Sequence, residues 1–346
     1  ILSLASSKLI DRNSRLADWD TSKGYPSRVF KGKILVFTRV FTDNNITTGT
    51  MDFDSVFSKV LDSYEELVSF LPEGSQPADL TSEDAAQVSY NKEIQAAIVD
   101  PPYYSSIMYS ELADLFYGWL KQYLGDVYPD LFSDDLTNKE DEAVANPEKF
   151  EGVAGDSQSK KQLANDFYES KMADIFSNIY RQLSDGGVMT VMFTHKETDA
   201  WDTLASSLIS SGFIITSTHP ITSEMPQRAN MRSSASADST LLLTGRKPHE
   251  ERDPENAVPT LWSDVEADTR AAAKEAARDL LESGISLTKT DVIISAFGPT
   301  LRVFADAYPV VDDEDEEVPP RKALETAREA VTQILVDEYL EGMDVD

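Results

Sequence analysis

Apolar positions recur along the chain at two periods. In residues 52–71, DFDSVFSKVLDSYEELVSFL, Phe53, Val56, Val60, Tyr64, Leu67 and Leu71 lie three or four apart, which predicts one helical face. Residues 107–124 repeat that spacing with Leu112, Leu115, Phe116, Trp119, Leu120 and Tyr123. Between these helices, IQAAIV at 94–99 is a short apolar run with charge before it and two prolines after it. Its length predicts a buried strand. Residues 72–84, PEGSQPADLTSED, read as a loop. Residues 130–161 are polar and lack either period, so they are expected to be a functional insertion or a mobile segment.

The pattern then alternates. A helix is predicted over 163–183 with Phe167, Ile175, Ile179 and Leu183 along it. Asp185–Gly186–Gly187 follows as a turn, and 188–193, VMTVMF, as a strand. A second helix over 199–211 ends at Gly212, a residue suited to helix C-termini. Strands are predicted at 213–219 and 239–245. No helix-length pattern separates them, so they should pair antiparallel around a loop at 219–238. Strand–helix–strand alternation predicts an α/β domain with a mostly parallel sheet and an antiparallel last strand.

From residue 250 onward the pattern is helical, at 261–284, at 290–307 with an interruption at Gly298–Pro299, and at 321–341. An acidic linker or turn is expected at 310–320. The expected division is a helical and extended region at 1–92, the α/β domain at 93–248, and a helical region at 249–346. The opening segment, 1–19, reads as an amphipathic helix rather than a secretion signal, and no window is apolar enough to span a membrane. A cytoplasmic protein is expected.

Charge changes the picture of the surface. Lysine and arginine number 31 against 61 acids, a formal net charge of −30, and the acids are spread along the chain. Such a surface repels a nucleic-acid backbone and favours basic partners. It also suits a halophilic source, where screening shortens to about 3 Å at 1 M salt. The preferred reading is the halophilic one. There is no cysteine, which removes disulfides, thiolate metal sites and cysteine nucleophiles. Histidines 195, 219 and 249 are too scattered to suggest a metal site, and none is expected.

The chemistry concentrates where the first predicted strand ends, at Asp100–Pro101–Pro102–Tyr103. In an open parallel sheet, ligands bind beyond the carboxyl ends of the strands. Asp100 supplies carboxylate oxygens there. The prolines fix φ, remove two donors and leave two carbonyls as acceptors, Pro101's among them. Tyr103 can lay its ring on a flat ligand. An acid, a rigid carbonyl and an aromatic face suit a flipped-out nucleobase with an exocyclic amine. The bland reading is a strand followed by a Pro-Pro turn. His195, at the end of the second strand, either lines the pocket or is a strand-end residue satisfied by backbone. Trp119 and Trp201 lie on the apolar stripes of their helices and read as core.

This motif, DPPY after an apolar strand, resembles the catalytic motif of S-adenosylmethionine-dependent amino-group DNA methyltransferases. The longer stretches VDPPYYSSIMYSELADLFYGWLK (99–121) and SDGGVMTVMFTHKETDAWDTLASSLISSGFIITSTHPITSE (184–224) are similar to a large prokaryotic family of adenine-specific DNA methylases, some of them found beside phage-defence genes. Segments 4–20 and 291–310 also resemble that family, so the likeness runs from about residue 4 to 330. It implies a Rossmann-like methyltransferase sheet with helical extensions and methylation of the adenine N6 amine in DNA by direct in-line transfer. Asp100, Pro101, Pro102 and Tyr103 would hold the amine, and Tyr104 would form a second wall. Asp100 would also face S-adenosylmethionine. The loop at 219–238 would face the DNA with Arg228 and Arg232. Over 219–248, four bases (with Arg246 and Lys247) against two acids, Glu224 and Asp238, give +2, a local reversal suited to phosphate contact or to salt-bridged surface arginines.

The chain departs from the family in one respect. The family's glycine-rich cofactor turn has no counterpart, since no GxG occurs anywhere, and in the family it lies ahead of the segment matching residue 4. The chain is therefore expected to be the catalytic-motif half of a longer protein, partnered by DNA, by the part that precedes it, or by defence-system subunits. Two rivals stand beside this reading. One is the same chemistry on N4 of cytosine, an RNA adenine or a protein glutamine amide. The other is a DNA-binding scaffold without catalysis.

Overall fold

The computed structural model describes residues 1–346 except 32, 33, 36–38, 40, 43, 49, 50, 154–158, 196, 197, 223–238, 249–257, 283–288 and 342–346. Two compact units form. Unit 1 combines Ile1–Ser82 with Ile107–Glu142, and unit 2 combines Glu83–Ser106 with Ala143–Asp346. This partition differs from the three-part division expected above, which follows composition and pattern rather than packing. Among the described residues, no helix is long and apolar enough to cross a membrane.

Unit 1 begins with α1 (Leu2–Ile10), which stops well short of residue 19. The reason is local. The side-chain amide of Asn13 donates to the Leu9 carbonyl at 3.1 Å, a local side-chain-to-backbone bond of the kind by which Asn, Asp and Ser compete with helix. A short antiparallel pair follows, β1 (Trp19–Asp20) with β2 (Tyr25–Pro26), and then β3 (Phe30–Lys31) with β4 (Ile34–Leu35). Helix α2 (Phe53–Ser69) is capped by Asp52, which accepts from the Ser55 N–H at 2.9 Å, and buries Val56 against Ala5 and Met51. Helix α3 (Tyr109–Leu124) buries Ser110 alone, so Trp119 lies 48% exposed, stacked on Tyr123, rather than in a core.

Unit 2 is a mixed α/β unit built on one four-stranded sheet. Its elements are β5 (Ile94–Val99), α4 (Lys160–Gln182), β6 (Leu183–Phe193), α5 (Thr198–Ser210), β7 (Ile214–Thr222) and β8 (Ser239–Arg246). They are followed by β9 (Thr260–Leu261), α6 (Trp262–Glu282), α7 (Lys289–Ala307), β10 (Val310–Val311) and α8 (Pro320–Glu341). The strand order is β5-β6-β8-β7. Within this sheet, among the described residues, only β5 and β6 pair in parallel. The return strand β8 lies between β6 and β7 and runs antiparallel to both, so the sheet is mixed rather than mostly parallel in its pairings. Strands β5, β6 and β7 nevertheless point the same way.

Strand β6 starts at Leu183, five residues before the predicted strand. Its register with β5 jumps from Ile94↔Leu183 to Ala96↔Val188, so Asp185–Gly186–Gly187 is an excursion inside the strand rather than a turn before it. Gly186 takes a left-handed φ of +74° there. Gly212 ends α5 at φ +92°. The carboxy-terminal helices belong to the sheet's core. Ala273, Ala277, Ala327 and Ala330 share one buried cluster with Met189, Val191 and Phe193. Helix α7 continues through Pro299, held by buried Phe297, Leu301 and Phe304. It lies so close to β7 that a Cβ on Gly298 would come 2.1 Å from Thr218 Oγ1.

Candidate functional site

Parallel pairing of β5 and β6, with Val99 opposite Val191, brings the carboxyl ends of two strands side by side. The chain leaves β5 at Asp100, which is exposed, and turns through half-buried Pro101, Pro102 and Tyr103. Two turns follow in succession. The Tyr104 N–H donates to the Pro102 carbonyl at 2.8 Å, and the Ser106 N–H donates to the Tyr103 carbonyl at 3.0 Å. Between them Tyr104 adopts φ +57°, the left-handed region that a bulky side chain rarely enters.

Helix α4 reaches this turn through Tyr168, whose hydroxyl donates to the Pro102 carbonyl at 2.9 Å. The two proline carbonyls therefore differ. Pro102's accepts two hydrogen bonds, whereas none reaches Pro101's among the described residues. The acceptor pair expected from Asp100 and Pro101 remains available, while the Pro102 oxygen is committed to holding the turn.

Tyr103 sets its ring edge-on to Phe193 at the end of β6, with centroids 5.7 Å apart. Tyr104, expected as a second wall of a base pocket, is only 2% exposed. Its ring packs inward between Tyr168 at 5.2 Å and His195 at 5.4 Å, and its carbonyl accepts from the Ala145 N–H at 3.2 Å. Half-buried His195 thus touches the turn through Tyr104. Its own carbonyl accepts from Trp201 Nε1 at 2.8 Å. Trp201 is fully buried against Phe193 and Phe297, as core.

Arg228 and Arg232 lie outside the described residues. The ends of their loop do not. Thr222 pairs with Ser239, two residues beyond the Phe193↔Leu241 pair, so the loop leaves the sheet at the end where β5 delivers Asp100. Arg246 and Lys247, counted with the loop's positive charge, lie at the opposite end. Because β8 runs antiparallel to β6, Arg246 faces Val188 and donates to the Gly186 carbonyl. Lys247 donates to the Leu183 carbonyl at 2.8 Å, 3.7 Å from Asp185.

Tyr168 is the residue that sequence reasoning missed. Ala164, Tyr168, Met172 and Phe176 recur every fourth position and are all fully buried, whereas Phe167, Ile175 and Ile179 of the predicted stripe are half-buried on its flank. The i, i+4, i+8 line was available in the sequence. Its contact with a carbonyl 66 residues away was not. A cleft of about 370 Å3 between α4 and α5 is lined by Asp166, Glu169, Ser207 and Ser210 and contains no residue of the turn. Burial, reinforced by Asp166, raises the Glu169 carboxyl above its ordinary range there. No family model, curated protein or solved structure matches the chain.

Proposed function

We propose that this chain carries the amine-holding half of an S-adenosylmethionine-dependent amino-methyltransferase that acts on the N6 amine of adenine in DNA. The observation that carries the reading is the strand-end turn. An exposed carboxylate, Asp100, immediately precedes Pro101, whose carbonyl accepts no hydrogen bond among the described residues, and the half-buried ring of Tyr103 is braced against Phe193. The amine donates its two hydrogens to Asp100 and Pro101, which turns the nitrogen lone pair outward. Tyr103 stacks on the base. The rate gain comes from orientation and from acceptors fixed in advance.

In this reading S-adenosylmethionine would supply the methyl group. The residues described here do not fit it as a complete site, because Asp100 offers an acceptor but no glycine-rich backbone cradle follows a strand. Only the amine side of the transfer is assigned to this chain. The sheet supports a Rossmann-like methyltransferase half, since three strands share one direction and the last strand is antiparallel. Strand β5 is an edge strand, and Ile98 within it is 85% exposed. That apolar edge supports a further cofactor-holding part pairing beside β5.

The test is mass spectrometry of nucleosides from DNA exposed to the full-length protein. N6-methyladenine is expected, together with its loss in Asp100→Ala. N4-methylcytosine alone would overturn the choice of adenine, and undiminished methylation by Asp100→Ala would overturn the acceptor assignment. The missing glycine turn favours one second reading, a DNA-binding scaffold, which predicts DNA binding without any methylated nucleoside.

A further inference from the structure

We propose that Tyr168 is the positioning residue of this site. Its hydroxyl, acting through the Pro102 carbonyl, holds Asp100–Tyr103 in the shape that receives an amino group. The proposal rests on the methyltransferase reading above.

The turn needs holding. Tyr104 occupies the left-handed region at φ +57°, a backbone state that persists in a bulky residue only when its surroundings over-determine it. Five contacts do so. The Tyr168 ring meets the Tyr104 ring edge-on at 5.2 Å, and the His195 ring meets it at 5.4 Å. The Ala145 N–H holds the Tyr104 carbonyl at 3.2 Å. The Tyr168 hydroxyl and the Tyr104 N–H converge on the Pro102 oxygen at 2.9 and 2.8 Å. The last pair closes a three-residue turn and ties it to α4.

The tie has a direction. Tyr168 belongs to the fully buried line Ala164, Tyr168, Met172 and Phe176, which fixes α4 in the core. The turn is thereby referenced to a packed helix in addition to the loop residues Ala145 and His195. Such support is what keeps a reacting group within about half an ångström of its productive position. Tyr168 itself reaches neither the amine nor the methyl donor in this scheme. Its loss should slow transfer without weakening DNA binding.

Tyr168→Phe keeps the ring and removes only the donor. Amide exchange at Tyr104 is expected to quicken about tenfold in this variant, with the amides of α4 unchanged. With tritiated S-adenosylmethionine and bulk DNA, kcat of the full-length protein should fall about tenfold while KM for DNA stays constant. Unchanged kcat, or a rise in KM alone, overturns the positioning role. Undiminished methylation by Asp100→Ala, or a wild-type protein that does not methylate, overturns the underlying reading and this role with it. Unchanged Tyr104 exchange in Tyr168→Phe overturns the hydrogen-bonded lock whatever the activity. Should that variant fail to fold, the wild-type chain still decides. Its Tyr104 amide is expected to be protected about a hundredfold over an unstructured peptide, and exchange at the unstructured rate overturns the lock.

Discussion

Unit 1 and unit 2 stay folded by different means. Unit 2 buries Trp201, Tyr168, Phe176, Phe193, Phe297 and Phe304 completely around its sheet. Unit 1 fills its interior with smaller groups, among the described residues Ala5, Ala17, Val29, Met51 and Val56, and relies on polar straps. Glu142 takes the Ser110 N–H at 2.8 Å and its hydroxyl at 2.6 Å, and Lys139 meets Asp114 at 2.7 Å. The difference bears on where a demanding site can sit. Asp100–Tyr104 belongs to unit 2, at the last residues before the chain passes to unit 1 at Ile107. A turn that must hold strained backbone is served by a packed aromatic layer, which a few polar straps among half-buried groups do not provide.

One pair of substitutions breaks this comparison if it is wrong. Trp201→Ala and Trp119→Ala make the same chemical change in the two units. Trp201 is fully buried and donates to the His195 carbonyl, so its removal is expected to cost about 3–5 kcal/mol. Trp119 is 48% exposed, and its removal should stay within about 0.5 kcal/mol. Urea unfolding followed by circular dichroism measures both. Equal losses would mean that unit 1 is packed as tightly as unit 2.

The same contrast explains what the sequence revealed. Strand β5 is legible in its bounds, because charge and proline punctuate both of its ends, but not in the burial predicted for it: it is an edge strand with no buried residue, and Ile98 is 85% exposed. The antiparallel pairing of β7 with β8 follows from the absence of a helix-length apolar pattern in the sequence between them, and the end of α5 from Gly212, all local features. What escaped was tertiary. The apolar stripe of α3 predicts a core that unit 1 does not build around Trp119. The face of α4 shifts by one position, because Tyr168 enters the buried core while Phe167 stays at its margin against Phe150 and Lys149. Tyr104 reads as an aromatic available to a ligand until its positive φ and its inward ring are seen. At the site, Asp100, Pro101 and Tyr103 were legible as a motif. The committed Pro102 carbonyl depends on a hydroxyl from another element.

The polar straps of unit 1 offer a smaller test. Met108, at the N-cap of α3, contributes no side-chain cap, and Glu142 serves instead by accepting from the N–H of Ser110. Glu142→Ala is expected to cost about 1 kcal/mol, the usual worth of a helix cap. Protease susceptibility within 109–142 should rise with it, while amide protection in β6 stays unchanged. Loss of β6 protection would show that the two units do not unfold independently.

A pH-dependent effect sharpens the comparison from the other side, because the well-packed unit also carries a misfit. Asp202 on α5 is largely buried, and its Oδ1 accepts no hydrogen bond among the described residues. Burial pushes its pKa up to about 6. The Arg321 guanidinium and backbone N–H at the start of α8 oppose the shift, and Glu169 and Asp199 add to it. The folded chain therefore keeps this proton after the unfolded chain, with a pKa near 3.8, has released it. Between these values the folded state binds more protons, so this residue's contribution to stability falls as pH rises from about 4 to about 6, then levels off. Asp202→Asn removes the titration while keeping an acceptor for the Arg321 N–H. Its melting temperature should match wild type near pH 4, rise above it across that window, and hold the gain at pH 7. A gap between the two proteins that does not change with pH would assign the Asp202 misfit to packing rather than to charge.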